Sequence, residues 1–121
     1  MPAPVIVVHD EVETREMAVG ALCAAGLQAV GFDDPIKALT AVEADTRARV
    51  LVTQVDFGPG KLNGAALVRM LRIKRREIRV AFVALPENRV HLDGYGEFVP
   101  MPLNPSVLVD TVAHLLRAAQ S

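Results

Sequence analysis

Aromatic residues are scarce in this sequence, which has no tryptophan, one tyrosine and four phenylalanines among 121 residues. A core must therefore come from Val, Leu, Ala and Ile, and the 51% hydrophobic content is sufficient for one globular domain. Cys23 is the only cysteine, which excludes an intrachain disulfide and argues against a metal cluster. No apolar run is long enough to span a bilayer, and the N-terminus does not resemble a signal peptide. We therefore expect a single cytoplasmic domain, residues 1–121.

Net charge is also nearly absent, at −1, which argues against general binding of nucleic acid. The charge is uneven, however, because residues 1–64 hold nine acids and five bases whereas residues 65–121 hold five acids and eight bases. Much of the basic excess lies in RMLRIKRREIR, from Arg69 to Arg79. This basic cluster is either the solvated end of a helix or a contact for an acidic partner or nucleic acid. The lack of interleaved aromatics favours the solvated helix end.

Short apolar runs alternate with helical patterns along the chain. The predicted strands are Val5–Val8, Leu27–Phe32, Val50–Thr53, Arg79–Leu85 and Glu97–Val99. The predicted helices are Val12–Ala25, a helix begun by Asp34-Pro35, Ala65–Arg75, and a last one capped by Asn104-Pro105 and followed by a tail, Ala118–Ser121. This alternation predicts an α/β domain with a five-stranded parallel sheet and helices on both faces.

Individual residues indicate where these helices begin, end and face the core. Asp10 is a candidate N-cap of the first helix, and Gly26 is typical of a residue that ends it. In the second helix the apolar residues that repeat at helical spacing are Ile36, Leu39 and Val42.

The segment PENRVHLDGYG, from Pro86 to Gly96, breaks the alternation. It has one proline, two glycines and no apolar period, and it is barely long enough for a crossover helix. We predict a loop, or at most one turn, in place of the fourth helix. Its apolar residues Val90, Leu92 and Tyr95 either contact a partner or fill the gap over the sheet.

The sequence resembles the receiver domains of two-component response regulators over residues 4–119. The resemblance rests on VIVVHDE, GFDDPIKALTAV, VLVTQV…LNGAALVRMLR and FVPMPLNPSVLVDTV, in this order. It implies a flavodoxin-like fold with strand order 2-1-3-4-5. In receivers, two acids after the first strand hold Mg²⁺, and an aspartate after the third strand accepts a phosphoryl group. A Ser or Thr and a Lys then bind the phosphoryl oxygens.

Little of that chemistry is retained in this sequence. His9 stands at the first acidic position, and Asp10 retains the second. Ala84 occupies the hydroxyl position and Met101 the lysine position, so neither can bind a phosphoryl oxygen. Phe98 matches the aromatic switch position, and the bond from Met101 to the following proline matches one that is usually cis in the family.

The acceptor position has two candidates, because two ways of counting disagree. Counting from the strand Val50–Thr53 gives Gln54, whereas counting back from Asn63-Gly64 gives Asp56. A buried strand fixes its register while loops absorb insertions at little cost, so we favour Gln54. A carboxamide is a poor nucleophile. The predicted degenerate acceptor pocket comprises His9, Asp10, Gln54, Ala84 and Met101.

We expect no cofactor, since Asp10 and Glu11 are only weak Mg²⁺ candidates without further carboxylates. His9 with one carboxylate supplies too few ligands for structural zinc, and a hydrogen-bonded histidine at the rim is the expectation. The Gly-Pro-Gly of FGPGKLNG lacks the spacing of a phosphate-binding loop and is typical of turns.

The resemblance and the substitutions together predict a stand-alone pseudo-receiver, without enzymatic activity. It would act in signal transduction by contact with a histidine kinase, a phosphotransfer protein or another receiver, and not with nucleic acid or membrane. The small residues of the first helix (Met17, Ala21, Ala24) also favour a homodimer. The alternative is a phosphoacceptor that uses Asp56 in a shifted register. A small-molecule or redox module is disfavoured by the scarcity of aromatics near the strand ends.

Overall fold

The computed structural model describes residues 4–92 and 94–119. The strands in these ranges are β1 (Val5–Val8), β2 (Ala29–Phe32), β3 (Val50–Thr53), β4 (Arg79–Ala84) and β5 (Glu97–Pro100). The helices are α1 (Val12–Ala24), α2 (Pro35–Ala44), α3 (Gly64–Lys74), α4 (Arg89–Leu92) and α5 (Pro105–Ala119). The predicted alternation is confirmed. No helix in the described residues is both long and apolar enough to cross a membrane.

The strands form one parallel sheet in the order β2-β1-β3-β4-β5, as predicted. Val8 at the end of β1 lies opposite Phe32 of β2 and Thr53 of β3. The direction of strand succession reverses between β1 and β3, so the loops that follow these two strands leave the sheet side by side. In such folds this carboxyl edge of the sheet is where functional groups meet.

Alternate residues of the strands pack into two hydrophobic cores, one on each face of the sheet. Ile6 and Val8 of β1 face the core shared with α2 and α3, whereas Val5 and Val7 face the core shared with α1 and α5. Every residue of β1 and β3 is buried. This burial on both faces explains why these strands are continuous apolar runs without polar alternation.

Cap residues define most helix ends as predicted, with one exception. Gly26 has φ +86°, the left-handed conformation that ends α1, and Asp34 accepts hydrogen bonds from two backbone N–H groups of α2. The prediction for Asp10 was wrong, because Glu11 occupies the N-cap position of α1 and makes no side-chain cap. α1 therefore begins without the cap that the sequence suggested.

Three further details differ from the sequence-based expectation. Ile36 is 51% exposed, because α2 turns Pro35, Ala38 and Val42 towards the core instead. β2 begins at Ala29, two residues later than predicted. α5 continues to Ala119, into the predicted tail.

In the described residues between β4 and β5, two successive helical turns replace a full fourth helix. The predicted shortening is confirmed, although the segment holds one turn more than predicted. A 3₁₀ turn spans Pro86–Asn88, and α4 has four residues. Leu92 is 2% exposed and belongs to the α2–α3 core, and half-buried Tyr95 packs against that core. Leu92 therefore fills the gap over the sheet, which is the second of the two alternatives, and Tyr95 does so with part of its side chain. The side chain of Val90 lies outside the described residues.

Two arginines of the basic cluster, both on α3, contact Tyr95 in the segment before β5. Arg72 donates a hydrogen bond of 2.8 Å to the carbonyl oxygen of Tyr95. The Arg69 guanidinium lies 6.0 Å from the Tyr95 ring centroid and 3.4 Å from its hydroxyl. Gly96 follows directly, and a Cβ there would overlap the carbonyl oxygen of Val80, so only glycine permits this close approach.

A third arginine of the cluster, Arg75, contacts the last turn of α2 and the loop between α2 and β3. Its guanidinium donates to four carbonyl oxygens, those of Val42, Asp45, Thr46 and Ala48, at 2.7 to 3.4 Å. The side chain is 13% exposed. Val42 lies in the last turn of α2, and the other three residues follow the helix. Carbonyl groups at a helix C-terminus lack intrahelical donors, and a planar cation with several N–H groups can satisfy such a carbonyl together with those of the following loop. The Arg75 side chain is therefore neither solvated nor available to a partner, which were the two alternatives for the basic cluster.

Candidate functional site

The candidate site lies at the carboxyl edge of the sheet, where β1 and β3 end next to each other. Val8 and Thr53 are register partners, so His9 and Gln54 leave the sheet on adjacent strands. The backbone N–H of Gln54 still donates to the carbonyl oxygen of Val8, at 3.3 Å. The residues after these strands are therefore held against each other by the sheet itself.

Gln54 connects the two loops through both ends of its side-chain amide. Its Oε1 accepts a hydrogen bond from the backbone N–H of Asp10 at 2.5 Å, and its Nε2 donates to the carbonyl oxygen of Asp56 at 2.6 Å. Gln54 is 8% exposed. A buried amide needs partners for its donor and its acceptor, and here the two loops supply both.

The start of α3 is packed directly against Gln54. The backbone N–H of Gly64 donates to the carbonyl oxygen of Val55 at 2.7 Å, and Asn63 caps the helix through the N–H of Ala66. A Cβ at Gly64 would overlap the carbonyl oxygen of Gln54. Asn63-Gly64 thus serves as a cap and a close-contact residue, which places the loop from β3 in a fixed path.

Asp56 is exposed, and its carboxylate is directed into its own loop. Its Oδ1 accepts a hydrogen bond of 2.8 Å from the backbone N–H of Gly58. The next residue, Phe57, is 6% exposed and anchors the loop in the α2–α3 core. Of the two candidate acceptor residues, Gln54 is the one whose side chain contacts the loop after β1, and Asp56 contributes its backbone to that contact.

His9 is held by local hydrogen bonds at the rim of the site. Its Nδ1 accepts from the backbone N–H of Glu11 at 3.0 Å, and its carbonyl oxygen accepts from Arg15 at 2.8 Å. Burial lowers the pKa of the imidazole below its ordinary value, and the nearby Asp10 carboxylate opposes this effect in part. A neutral imidazole is consistent with Nδ1 acting as an acceptor. The role of Arg15 in this contact had no signal in the sequence.

The donor atoms present do not fit a Mg²⁺ ion, which the fold family would lead one to expect here. The ion requires near-octahedral oxygen coordination. The Asp10 side chain is half exposed and lies 3.8 Å from His9 Nδ1, while Glu11 Oε1 accepts the hydroxyl of Thr14. The Oε1 of Gln54 is already bonded to a backbone N–H. In the described residues, no group of three or more acidic, histidine or cysteine side chains could hold a metal.

The two other substituted positions lie at the ends of β4 and β5. Ala84 is 5% exposed and belongs to the α2–α3 core. Met101 packs against the opposite core, that of α1 and α5, and its backbone N–H donates to the carbonyl oxygen of Ala84 at 2.8 Å. The peptide bond that follows Met101 is cis. The backbone brings these positions together, but their side chains belong to different faces of the sheet.

Phe98, the predicted aromatic switch position, lies half-buried on β5 against the α2–α3 core. The Arg89 guanidinium lies 5.7 Å from the centroid of its ring. This distance is within the range of a cation–π contact, so α4 covers one face of the ring despite its short length.

Lys61 is a residue that the sequence did not single out. Its Nζ lies 3.1 Å from the Asp34 carboxylate, and it therefore joins the loop after β3 to the start of α2. This hydrogen bond holds the pKa of Asp34 below its usual value. The lysine follows the Gly-Pro-Gly turn in sequence, but nothing in the sequence indicated that α2 was its partner.

No protein-family model and no curated protein matches this chain. Solved structures do match it. NtrX from Brucella abortus, solved with ADP, superposes with a TM-score of 0.87 at 23% identity over 99% of this chain, which spans 28% of NtrX. The chemotaxis protein CheY4 of Vibrio cholerae matches with a TM-score of 0.80 and 22% identity over 95% of this chain and 99% of its own.

A response regulator receiver domain protein from Clostridium thermocellum gives a TM-score of 0.85 at 14% identity, covering 98% of this chain and 97% of its own. This chain has the receiver fold. Identities below one quarter show the fold and leave the activity open, since one fold carries many functions.

Proposed function

We propose that this receiver-fold chain belongs to two-component signalling and acts by protein contact, without accepting a phosphoryl group at the usual position. The observation that carries the proposal is the double hydrogen bond of Gln54. Its amide occupies the end of β3, where receivers keep the nucleophilic carboxylate, and is engaged at both ends by backbone groups.

The substitutions at the ends of β4 and β5 support the same proposal. Ala84 has no hydroxyl, and Met101 places a neutral side chain against the α1–α5 core. A buried lysine without an anionic partner would cost several kcal/mol, whereas methionine packs there without this penalty. The Met101 side chain thus packs against the interior of the domain. Transfer of a phosphoryl group needs positive charge on the transferring oxygens, which these residues do not supply.

The partners that suit this function are a histidine kinase, a phosphotransfer protein or another receiver-fold chain, including a second copy of this one. Phosphorylation would not be the input, so the interaction would depend on the partner's abundance or conformation. The contact surface would then be permanently available.

The second candidate function is a phosphoacceptor that uses Asp56. Its exposure and free second carboxylate oxygen favour chemical access. Against it stands the direction of the carboxylate, which bonds the Gly58 N–H of its own loop. An acceptor would also need Asp10 beside it to share a metal, and Gln54 is the residue that contacts Asp10.

The test is incubation with acetyl phosphate and Mg²⁺, followed by intact-mass spectrometry with and without hydroxylamine. We expect no hydroxylamine-sensitive gain of one phosphoryl group. A gain that disappears in Asp56→Asn but persists in the matched control Asp33→Asn would establish the second candidate. A gain that survives Asp56→Asn would contradict both candidates by revealing a different acceptor.

A further inference from the structure

The outer side of α1 combines exposed apolar and acidic residues. Val12 is 51% exposed and Met17 is 46% exposed, and exposed Glu13 and Glu16 lie on the same side of the helix. With Gly20 one turn further on, these residues define the acidic α1 face. Its inner side, through Ala18 and Leu22, packs into the α1–α5 core.

Gly20 has no role within its own chain that would explain a glycine in the middle of a helix. It is exposed, it lies outside the positive-φ glycines, and a Cβ added there would meet no atom within 4 Å. Glycine weakens a helix relative to alanine, so its presence calls for a benefit elsewhere. A missing side chain at the centre of an exposed face allows another molecule to approach the helix closely.

The outer side of α3 combines exposed apolar and basic residues. Met70 is 40% exposed and Ile73 is 79% exposed. Exposed Arg69, which contacts the Tyr95 ring, lies on the same helix, and exposed Arg76 lies in the turn directly after it. With half-buried Ala66, these residues define the basic α3 face. Lys74, which follows Ile73, is already paired with Glu43 of α2.

The two faces are complementary in charge, apolar content and size. Each presents two large apolar side chains next to two charges of one sign. Helices of 13 and 11 residues are about 20 and 16 Å long, so their lengths also match. α1 and α3 lie on opposite sides of the sheet, since they pack into different cores. Within one chain the two faces therefore cannot meet.

We propose that the acidic α1 face of one copy of this chain docks on the basic α3 face of a second copy. Such a contact joins different surfaces, so it is head-to-tail, and it leaves one face of each kind free at the ends of the assembly. The assembly then extends, or closes into a ring if the rotation permits. This inference rests on the proposed function only in that both act through protein contact.

The test uses sedimentation velocity across a concentration series, with two charge-altered variants, Glu13→Lys/Glu16→Lys and Ile73→Glu/Arg76→Glu. The second variant leaves the contact between Arg69 and Tyr95 intact. Wild-type chain should increase in mass with concentration and lose this increase as salt is added. Each variant alone should be monomeric at concentrations where the wild type associates, because its dissociation constant should be at least about tenfold higher. An equimolar mixture of the two variants should regain association, because each altered face meets an altered partner of opposite charge.

A second variant separates lost contact from lost folding. Gly20→Leu should raise the thermal midpoint, because leucine favours the helix, and yet weaken association by filling the space left for the partner. The control Glu87→Lys changes a charge away from both helices and should associate as wild type does.

Three outcomes would overturn the proposal: a wild-type chain that stays monomeric at every concentration, an α3 variant that associates normally, or a mixture that fails to regain association. An unaffected α3 variant would point instead to a symmetric contact through α1 alone. Because the readout is mass in the absence of any phosphodonor, a failure here is separate from a positive result with acetyl phosphate.

Discussion

At the carboxyl edge of the sheet one neutral amide connects two loops, whereas at the opposite, amino edge two arginines connect loops to helices. Gln54 joins the loops after β1 and β3 through one donor and one acceptor. Arg75 and Arg72 reach five carbonyl oxygens between them at the other edge. In both places a side chain satisfies backbone groups that the sheet and helices leave without partners.

The difference between the edges follows from which backbone groups each one exposes. Helices of this fold end at the amino edge, and their last carbonyl groups accept hydrogen bonds and carry partial negative charge. Cationic donors are therefore suited to that edge. At the carboxyl edge the loops present both N–H and C=O groups, and an amide can serve one of each. A charged side chain at Gln54 would satisfy only half of this demand.

Two arginines of the basic cluster belong to the amino edge of the fold. The cluster's position after α3 and its charge suggested either a solvated surface or a contact. Arg72 and Arg75 are instead committed to carbonyl oxygens, and desolvation together with the nearby Arg79 lowers the pKa of Arg72. Part of the positive charge of the second half of the chain therefore comes from arginines that donate hydrogen bonds to carbonyl oxygens at the amino edge.

The largest effect is expected from removing the arginine that serves four carbonyl groups. Arg75→Ala should lower the free energy of unfolding by about 2–4 kcal/mol, because the carbonyl groups in the last turn of α2 and in the loop after it lose a shared, largely buried donor. Urea unfolding followed by circular dichroism measures this change. The control is Arg76→Ala, the exposed neighbour, which should stay within about 0.5 kcal/mol of wild type.

Equal unfolding midpoints for these two variants would show that the amino edge does not depend on Arg75. The carbonyl groups that Arg75 contacts would then be satisfied equally well by water.

A smaller loss is expected at the carboxyl edge. Gln54→Ala removes two partly buried hydrogen bonds and should destabilise the chain by about 1–3 kcal/mol. It should also speed hydrogen exchange at Asp10, whose N–H loses its acceptor. The matched control is Gln28→Ala, an exposed glutamine outside the helices and strands, for which little change is expected. Unchanged exchange at Asp10 would show that Gln54 does not connect the loops.

Much of the fold could be predicted from the sequence, because its patterns depend on local physics. Buried strands such as Val50–Thr53 are continuous apolar runs, Asp34-Pro35 is a cap followed by a residue pre-set for a helix, and Gly26 supplies a positive φ. The lack of an apolar period between Pro86 and Gly96 correctly indicated a shortened fourth helix. These features require no knowledge of distant contacts.

The contacts that the sequence missed join residues far apart in the chain. The partners of Arg75 lie 27 to 33 residues before it, and Lys61 meets Asp34 across 27 residues. A run of arginines has the same appearance whether its guanidinium groups reach solvent or carbonyl oxygens. The placement of Gln54 next to Asp10 was predictable only because parallel strands align their ends. The error at Ile36 arose because two adjacent helix faces fit the same spacing.

The smallest effect is expected at His9, the titratable side chain at the rim of the carboxyl edge. Burial lowers the pKa of His9 in the folded chain, while in the unfolded chain it stays near about 6.5. Below that pH the unfolded state binds more protons, so stability falls as the pH drops from about 6.5 to the lower folded pKa, and changes no further below it. His9→Asn keeps an acceptor for the Glu11 N–H but cannot titrate, so it should remove part of this decline. Thermal midpoints of both proteins between pH 7.5 and about 5 measure it. If the two pH profiles run parallel, the fold does not hold the imidazole of His9 neutral, and this side chain is protonated in the folded chain as readily as in the unfolded chain.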